Sequence, residues 1–246
     1  MRRGIYILPT VFTVGNAVCG YVSVINTIRG DYEAAGWLII LAMLFDFLDG
    51  KIARLTGTTS NFGKEIDSLS DMISFGLAPS ILTYMWALKG VGRIGMIASI
   101  LYFVAGMLRL ARFNIRVDHF ENMKYFIGLP IPASAGSIAT FVIMSENYDV
   151  DFIPHMKMFL CIYMFLLVYL MVSNIPYASG KKIDLKKRKP FKILVVLLLL
   201  FFIIASYPGV ILFFLFLSYV MSGLLRRFSR IRAVSNMLSR TGRPAA

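Results

Sequence analysis

Residues 36–86 read GWLIILAMLFDFLDGKIARLTGTTSNFGKEIDSLSDMISFGLAPSILTYMW. Two apolar runs, 34–55 and 66–88, flank a short polar crossing. Each has the length of about 20 residues that a helix needs to span a bilayer. Yet four aspartates, Asp46, Asp49, Asp67 and Asp71, stand at or near the ends of the two runs that meet at that crossing. An Asp at the centre of a membrane helix costs about 2.5–3.5 kcal/mol on insertion scales, and less near the interface. Four of them also repel one another, so the stretch requires a function or a cation.

The rest of the chain has the same character. Of 246 residues, 58% are apolar and only 16% charged, with 26 Lys and Arg against 13 Asp and Glu. Soluble domains carry about 45–50% apolar and about 25% charged residues. The composition excludes an ordinary soluble domain, a disordered chain and a nucleic-acid-binding module. Cys19 and Cys161 both lie in apolar runs, and two cysteines make no disulfide framework.

Eight apolar spans follow: 7–28, 34–55, 66–88, 94–114, 127–145, 157–177, 191–207 and 209–225, the last two parted by Pro208 and Gly209. Placing both termini in the cytoplasm puts 22 of the 26 basic residues inside, leaving Arg29, Lys89, Arg93 and Lys157 outside. That asymmetry is what the positive-inside rule requires. Fusing the last two spans would export the Arg-rich tail, so eight helices are expected. Arg2 and Arg3 before an apolar run resemble a signal peptide, but Pro9 and Asn16 interrupt the run and no small-x-small cleavage site follows. The segment is read as a retained first helix.

The chain is therefore expected to be an all-α polytopic membrane protein. Residues 1–180 form a six-helix catalytic core, 181–190 a basic cytoplasmic linker, 191–225 two accessory helices and 226–246 a basic cytoplasmic tail. The accessory helices lack acidic residues and read as lipid-facing packing. The linker lysines suit either anionic headgroups or, more routinely, a solvated inner loop.

At 100° per residue, Asp46 and Asp49 lie about 60° apart on the second helix, and Asp67 and Asp71 about 40° apart on the third. Two carboxylate pairs can thus face each other across a hairpin. Hard oxygens in that number suit Mg²⁺ or Mn²⁺. Gly50, Ala53 and Gly63 share these faces; they either leave room for a ligand or serve close helix packing of the small-xxx-small kind. The expected topology brings Arg109, Arg112, Asn114 and the turn GLPIPAS, residues 128–134, to the same cytoplasmic level. Acid clusters beside arginines at a membrane face fit a metal-bridged, phosphate-bearing substrate.

Asp46, Asp49, Gly50, Ala53, Arg54, Gly63, Asp67 and Asp71 stand in the spacing D-x2-D-G-x2-A-R-x8-G-x3-D-x3-D. This pattern resembles the full signature of the CDP-alcohol phosphotransferases. The stretches FGKEIDSLSDMISFGLAP (62–79), RLARFN (109–114) and GLPIPASAG (128–136) look like one branch, the membrane-integral phosphatidylserine synthases.

The resemblance implies that a serine hydroxyl attacks the lipid-bearing phosphate of CDP-diacylglycerol, forming phosphatidylserine and CMP. It assigns Asp46, Asp49 and Asp67 to two divalent cations, Mg²⁺ or Mn²⁺, Asp71 to a metal and to the general base, and Gly50, Ala53 and Gly63 to the floor of the cytidine nucleotide site. It also implies a homodimer, with the substrates CDP-diacylglycerol or an archaeal analogue and L-serine. Arg54 contacts phosphate or locks the carboxylates, with a membrane-edge anchor as the plainer alternative.

Thr13 and Asn16 resemble positions that touch the nucleotide in related enzymes, although a polar pair bonding between helices fits equally well. Arg109 and Arg112, three apart on one face, suit a serine carboxylate or a lipid phosphate, or are simple inner-face arginines. Other acceptors, inositol phosphate or glycerol phosphate, would need more cations around the acceptor pocket. A cation transporter would also bury carboxylates, but it should show repeats and broken mid-membrane helices.

Overall fold

In the computed structural model of the protein, the structure describes residues 7–57, 60–117, 125–148, 156–178 and 206–241. The expected basic linker, almost all of the span 191–207, and both histidines, His119 and His155, lie outside the described residues. The described residues are almost wholly helical.

Helix α1 (Ile7–Arg29) and helix α2 (Tyr32–Thr56) form an antiparallel hairpin. Gly30 turns the chain with a φ of 84°, and the Asp31 carboxylate accepts the N–H of Ala34 at 3.1 Å as the cap of α2. Between membrane helices, pairing rests on close packing and hydrogen bonds rather than on expelling water. Accordingly the Ser23 hydroxyl donates to the Ala35 carbonyl at 2.8 Å, and Ala35, Gly36, Ile39 and Ala42 are buried. Gly57, in the left-handed conformation, ends α2 by donating its N–H to the Ala53 carbonyl.

The third expected span is one helical run with a change of type. Ser60 caps α3 (Asn61–Asp71), accepting the Gly63 N–H at 3.0 Å, so the helix starts five residues earlier than hydropathy alone places it. A π-helical segment, Met72–Leu77, follows, and α4 (Ala78–Trp86) completes the run. A short 3₁₀ turn, Leu88–Val91, leads into α5 (Arg93–Val117).

Two short strands depart from the expectation. β1 (Tyr125–Ile127) pairs antiparallel with β2 (Pro176–Ala178), with Phe126 opposite Tyr177. Consequently α6 is shorter than the span 127–145 at its start and runs over Ile131–Asn147, behind Gly128 at φ 79° and Pro130. Likewise α7 (Met156–Val172) stops five residues before the expected 177, because Pro176 has no N–H for another helical turn.

The last described element, α8 (Pro208–Thr241), begins at Pro208 and continues as helix far beyond the expected 225. Nor does it merely face lipid. Phe213 and Val220 are buried, the Tyr177 hydroxyl donates to the Val220 carbonyl at 3.1 Å, and a Cβ on Gly136 of α6 would lie 2.6 Å from the Phe216 ring.

Helix α6 sits at the centre, with every residue from Ser134 to Ile143 buried. Two of its hydroxyls turn back on their own helix, Ser137 to the Ser134 carbonyl and Thr140 to the Gly136 carbonyl, both at 2.7 Å. Polar contacts mark the two ends of the bundle. At one end Glu33 accepts from Trp37 and Asn147, and Glu146 accepts from Trp86 at 2.7 Å. At the other, Asn114 of α5 donates to Ser68 of α3 at 2.9 Å.

Among the described residues, three helices are long and apolar enough to cross a membrane, over Pro9–Arg29, Arg93–Ile115 and Pro208–Leu225, and α7 is a shorter apolar helix. The 25-residue α2 carries Asp46, Asp49 and Lys51 within its apolar length. Bulky apolar side chains such as Val18, Tyr21, Ile97 and Phe214 stand exposed on α1, α5 and α8, as a lipid-embedded chain requires.

Candidate active site

The end of α2 and the start of α3 bring the aspartates together. One carboxylate oxygen each from Asp46, Asp49 and Asp67 lies within 4.8 Å of the others. Asp49 is 5% exposed and Asp46 and Asp67 are half-buried. Oδ2 of Asp49 and Oδ1 of Asp67 are buried and accept no hydrogen bond from the protein. Unpaired buried carboxylate oxygens are costly, and the oxygens of three aspartates within 4.8 Å of one another have the hard-oxygen chemistry of a divalent-cation site. The donor set therefore fits a metal ion.

Asp71, one helical turn beyond Asp67, is buried and stands outside that trio, within electrostatic reach of Asp46 and Asp67. Its Oδ1 accepts a hydrogen bond from the Asn16 amide at 3.1 Å.

A cavity of about 600 Å³ opens beside the trio. Asp49, Gly50, Ala53, Arg54, Gly63 and Asp67 line it, together with Thr13 from α1. A Cβ placed on Gly50 would meet only Arg54 Nη2, at 3.9 Å. Close packing therefore does not require glycine at position 50. At Gly63 the N–H is capped by Ser60, and a Cβ would come 3.1 Å from the Ser60 hydroxyl. The exposed Arg54 lies on the cavity wall near Asp46. Sequence reading missed Pro9, Thr10, Ser60, Phe62 and Lys64, which also line the cavity. Phe62 and Lys64 fall in the stretch 62–79 that carries the resemblance, whereas Pro9, Thr10 and Ser60 lie outside the quoted stretches.

The α1 pair divides. Thr13, buried, donates its hydroxyl to the Pro9 carbonyl at 3.1 Å and borders both the cavity and Asp49. Asn16, fully buried, is not on the cavity wall and is bonded to Asp71.

The arginines divide as well. Arg109 is 8% exposed, its guanidinium lies 5.6 Å from the Phe113 ring centre, and it is within electrostatic reach of Asp71, Asp46 and Tyr219 of α8. Arg112 is engaged with the end of α7 and with β1. Nη1 donates to the Val172 carbonyl at 2.9 Å and to Asn174 Oδ1 at 3.4 Å; Nη2 donates to the carbonyls of Ile127, Met171 and Ser173 at 3.2 to 3.3 Å. It caps the C-terminal carbonyls of α7 and ties them to β1.

The profile of CDP-alcohol phosphatidyltransferases matches residues 6–169. The chain is 39% identical over 197 residues to a CDP-diacylglycerol--serine O-phosphatidyltransferase of Helicobacter pylori (strain J99 / ATCC 700824), covering 80% of this chain and 82% of the relative. It is 35% identical over 175 residues to the protein of that name from Bacillus subtilis (strain 168), covering 71% and 92%. It is 45% identical over 136 residues to an archaetidylserine synthase of Methanothermobacter thermautotrophicus, covering 54% and 57%. With the signature aspartates gathered as described and two thirds of its length matched, the chain belongs to the CDP-alcohol phosphatidyltransferase family.

Proposed function

We propose that this chain is a CDP-diacylglycerol--serine O-phosphatidyltransferase that works from the cytoplasmic face of the cell membrane. The observation that supports the chemistry is the convergence of three carboxylate oxygens within 4.8 Å of one another, two of them from Asp49 and Asp67 on the wall of a cavity of about 600 Å³ that Gly50 and Gly63 also line. The choice of serine as acceptor rests on relatives named for that reaction across bacteria and archaea.

In this reading Gly50, Ala53 and Gly63 let the cytidine nucleotide lie close to the backbone, and Arg54 meets its phosphates by charge-assisted bonds. Asp46, Asp49 and Asp67, with Asp71, would hold two divalent cations, Mg²⁺ or Mn²⁺. Bound there, such cations would neutralise the pyrophosphate and polarise the attacked phosphorus. The serine hydroxyl oxygen bonds to the phosphorus that carries diacylglycerol. The bond from that phosphorus to the bridging oxygen breaks, and its electron pair leaves with CMP. The hydroxyl proton passes to Asp71, because an alcohol is a poor nucleophile without a base in reach. Arg109 supplies a planar fork for the serine carboxylate.

Eight membrane helices with both termini inside agree with the 22 basic residues on the inner side against four outside. A homodimer is carried over from the family resemblance. The test is release of labelled CMP from CDP-diacylglycerol by protein in liposomes, offered serine, inositol phosphate or glycerol phosphate, with and without chelator. Serine-dependent release abolished by chelator and restored by Mg²⁺ or Mn²⁺ is expected. Release with a phosphorylated alcohol in place of serine, or full release in chelator, would overturn the acceptor or the metal assignment respectively.

A further inference from the structure

Asp71 is the last α-helical residue before the π-helical segment Met72–Leu77. Single π turns inside α-helices are rare and gather at functional sites. This one is gripped from two sides. On the α1 side, the Ser74 hydroxyl donates to the Asn16 carbonyl at 2.8 Å, and α1 comes so near that a Cβ on Gly20 would lie 2.7 Å from the Ser74 Cα. On the α5 side, the Tyr102 hydroxyl donates to the Phe75 carbonyl at 3.2 Å.

Asn16 is thereby fixed twice. Its backbone carbonyl is held by Ser74 and its side-chain amide is held by Asp71, with the side chain fully buried. The carboxylate can only accept, so the NH₂ end of the amide faces it. The amide takes one carboxylate oxygen and leaves the other for the chemistry. A nucleotide contact would require Asn16 on the cavity wall, where Thr13 stands and Asn16 does not.

We infer that Asn16 is a positioning residue for Asp71, held in place by the π turn through Ser74, and that it acts on the transfer step rather than on nucleotide binding. The inference rests on the reading of Asp71 as the base. An amide donor that fixes the carboxylate rotamer places its free oxygen where the acceptor hydroxyl must arrive, and a misplacement of about 1 Å can cost about a hundredfold in rate.

Asn16→Leu, which keeps the branched skeleton and removes the donor, should lower kcat about ten- to a hundredfold. The KM for CDP-diacylglycerol, and the affinity for CMP with Mn²⁺ measured by calorimetry, should stay within about twofold of wild type. Adding Asn16→Leu to Asp71→Asn should cost less than about twofold more, because residues acting as a unit are not additive. Ser74→Ala, which removes only the tether, should lower kcat a few-fold with CMP affinity again unchanged, and it serves if Asn16→Leu fails to fold. Weakened CMP binding, a multiplicative double variant, or Ser74→Ala with wild-type kcat would each overturn the inference. If Asp71→Asn alone keeps near-normal kcat while Asn16→Leu loses it, the base assignment fails and the positioning role falls with it.

Discussion

Replacing Arg112 with lysine separates a structural cap from a substrate ligand. The guanidinium donates at 2.9 to 3.4 Å to acceptors that include the carbonyls of Val172, Met171, Ser173 and Ile127, and Asn174 Oδ1. Three of these carbonyls belong to the C-terminal turn of α7 or the residue after it, where no further intrahelical N–H exists to satisfy them. A bond from a charged donor contributes about 1.5–3 kcal/mol, with neighbouring bonds less than additive. Lysine keeps the charge but has a single nitrogen with no planar fork, so one or two contacts survive. The loss is then on the order of 2–4 kcal/mol, which for a chain of this size lowers the midpoint of thermal unfolding by about 4–16 °C. The assay is thermal unfolding of purified protein in detergent, followed by kinetics on the folded fraction at low temperature. The cap predicts lower stability with the KM for serine unchanged within about twofold. Wild-type stability with a KM for serine raised tenfold or more would refute it and return Arg112 to the acceptor pocket.

Asp71→Asn should lower kcat by at least a hundredfold with CMP affinity largely retained, since an amide keeps an oxygen but cannot take the serine proton; steady-state kinetics paired with calorimetry checks this. Arg109→Lys should raise the KM for serine about ten- to a hundredfold and that for CDP-diacylglycerol far less, through loss of a two-bond fork to a carboxylate; the reverse pattern would assign Arg109 to the lipid phosphates. Single cysteines at positions 3, 185 and 240 should react with an impermeant thiol reagent only from the inner side of sealed vesicles, and labelling of 185 from outside would sink the eight-helix topology.

Membrane character and the four signature aspartates were legible in the linear order of residues. Each follows from local chemistry: apolar length against bilayer thickness, and carboxylates too costly to leave in an apolar helix without a purpose. Tertiary structure decided what spacing cannot express. Hydropathy has no symbol for a change of helix type, so the π turn after Asp71 reads as plain apolar sequence, and the strand pair 125–127 with 176–178 is hidden because its halves lie some fifty residues apart. Side-chain partners were equally hidden. Arg109 and Arg112 look equivalent one helical turn apart, and only the arrival of the α7 terminus beside one of them makes it a cap while the other stays near Asp71. Thr13 and Asn16 part company for the same reason: a rotation of about 60° around α1 turns one to the cavity and the other to Asp71, and which neighbour each meets is set by packing against α3 rather than by anything in α1 itself.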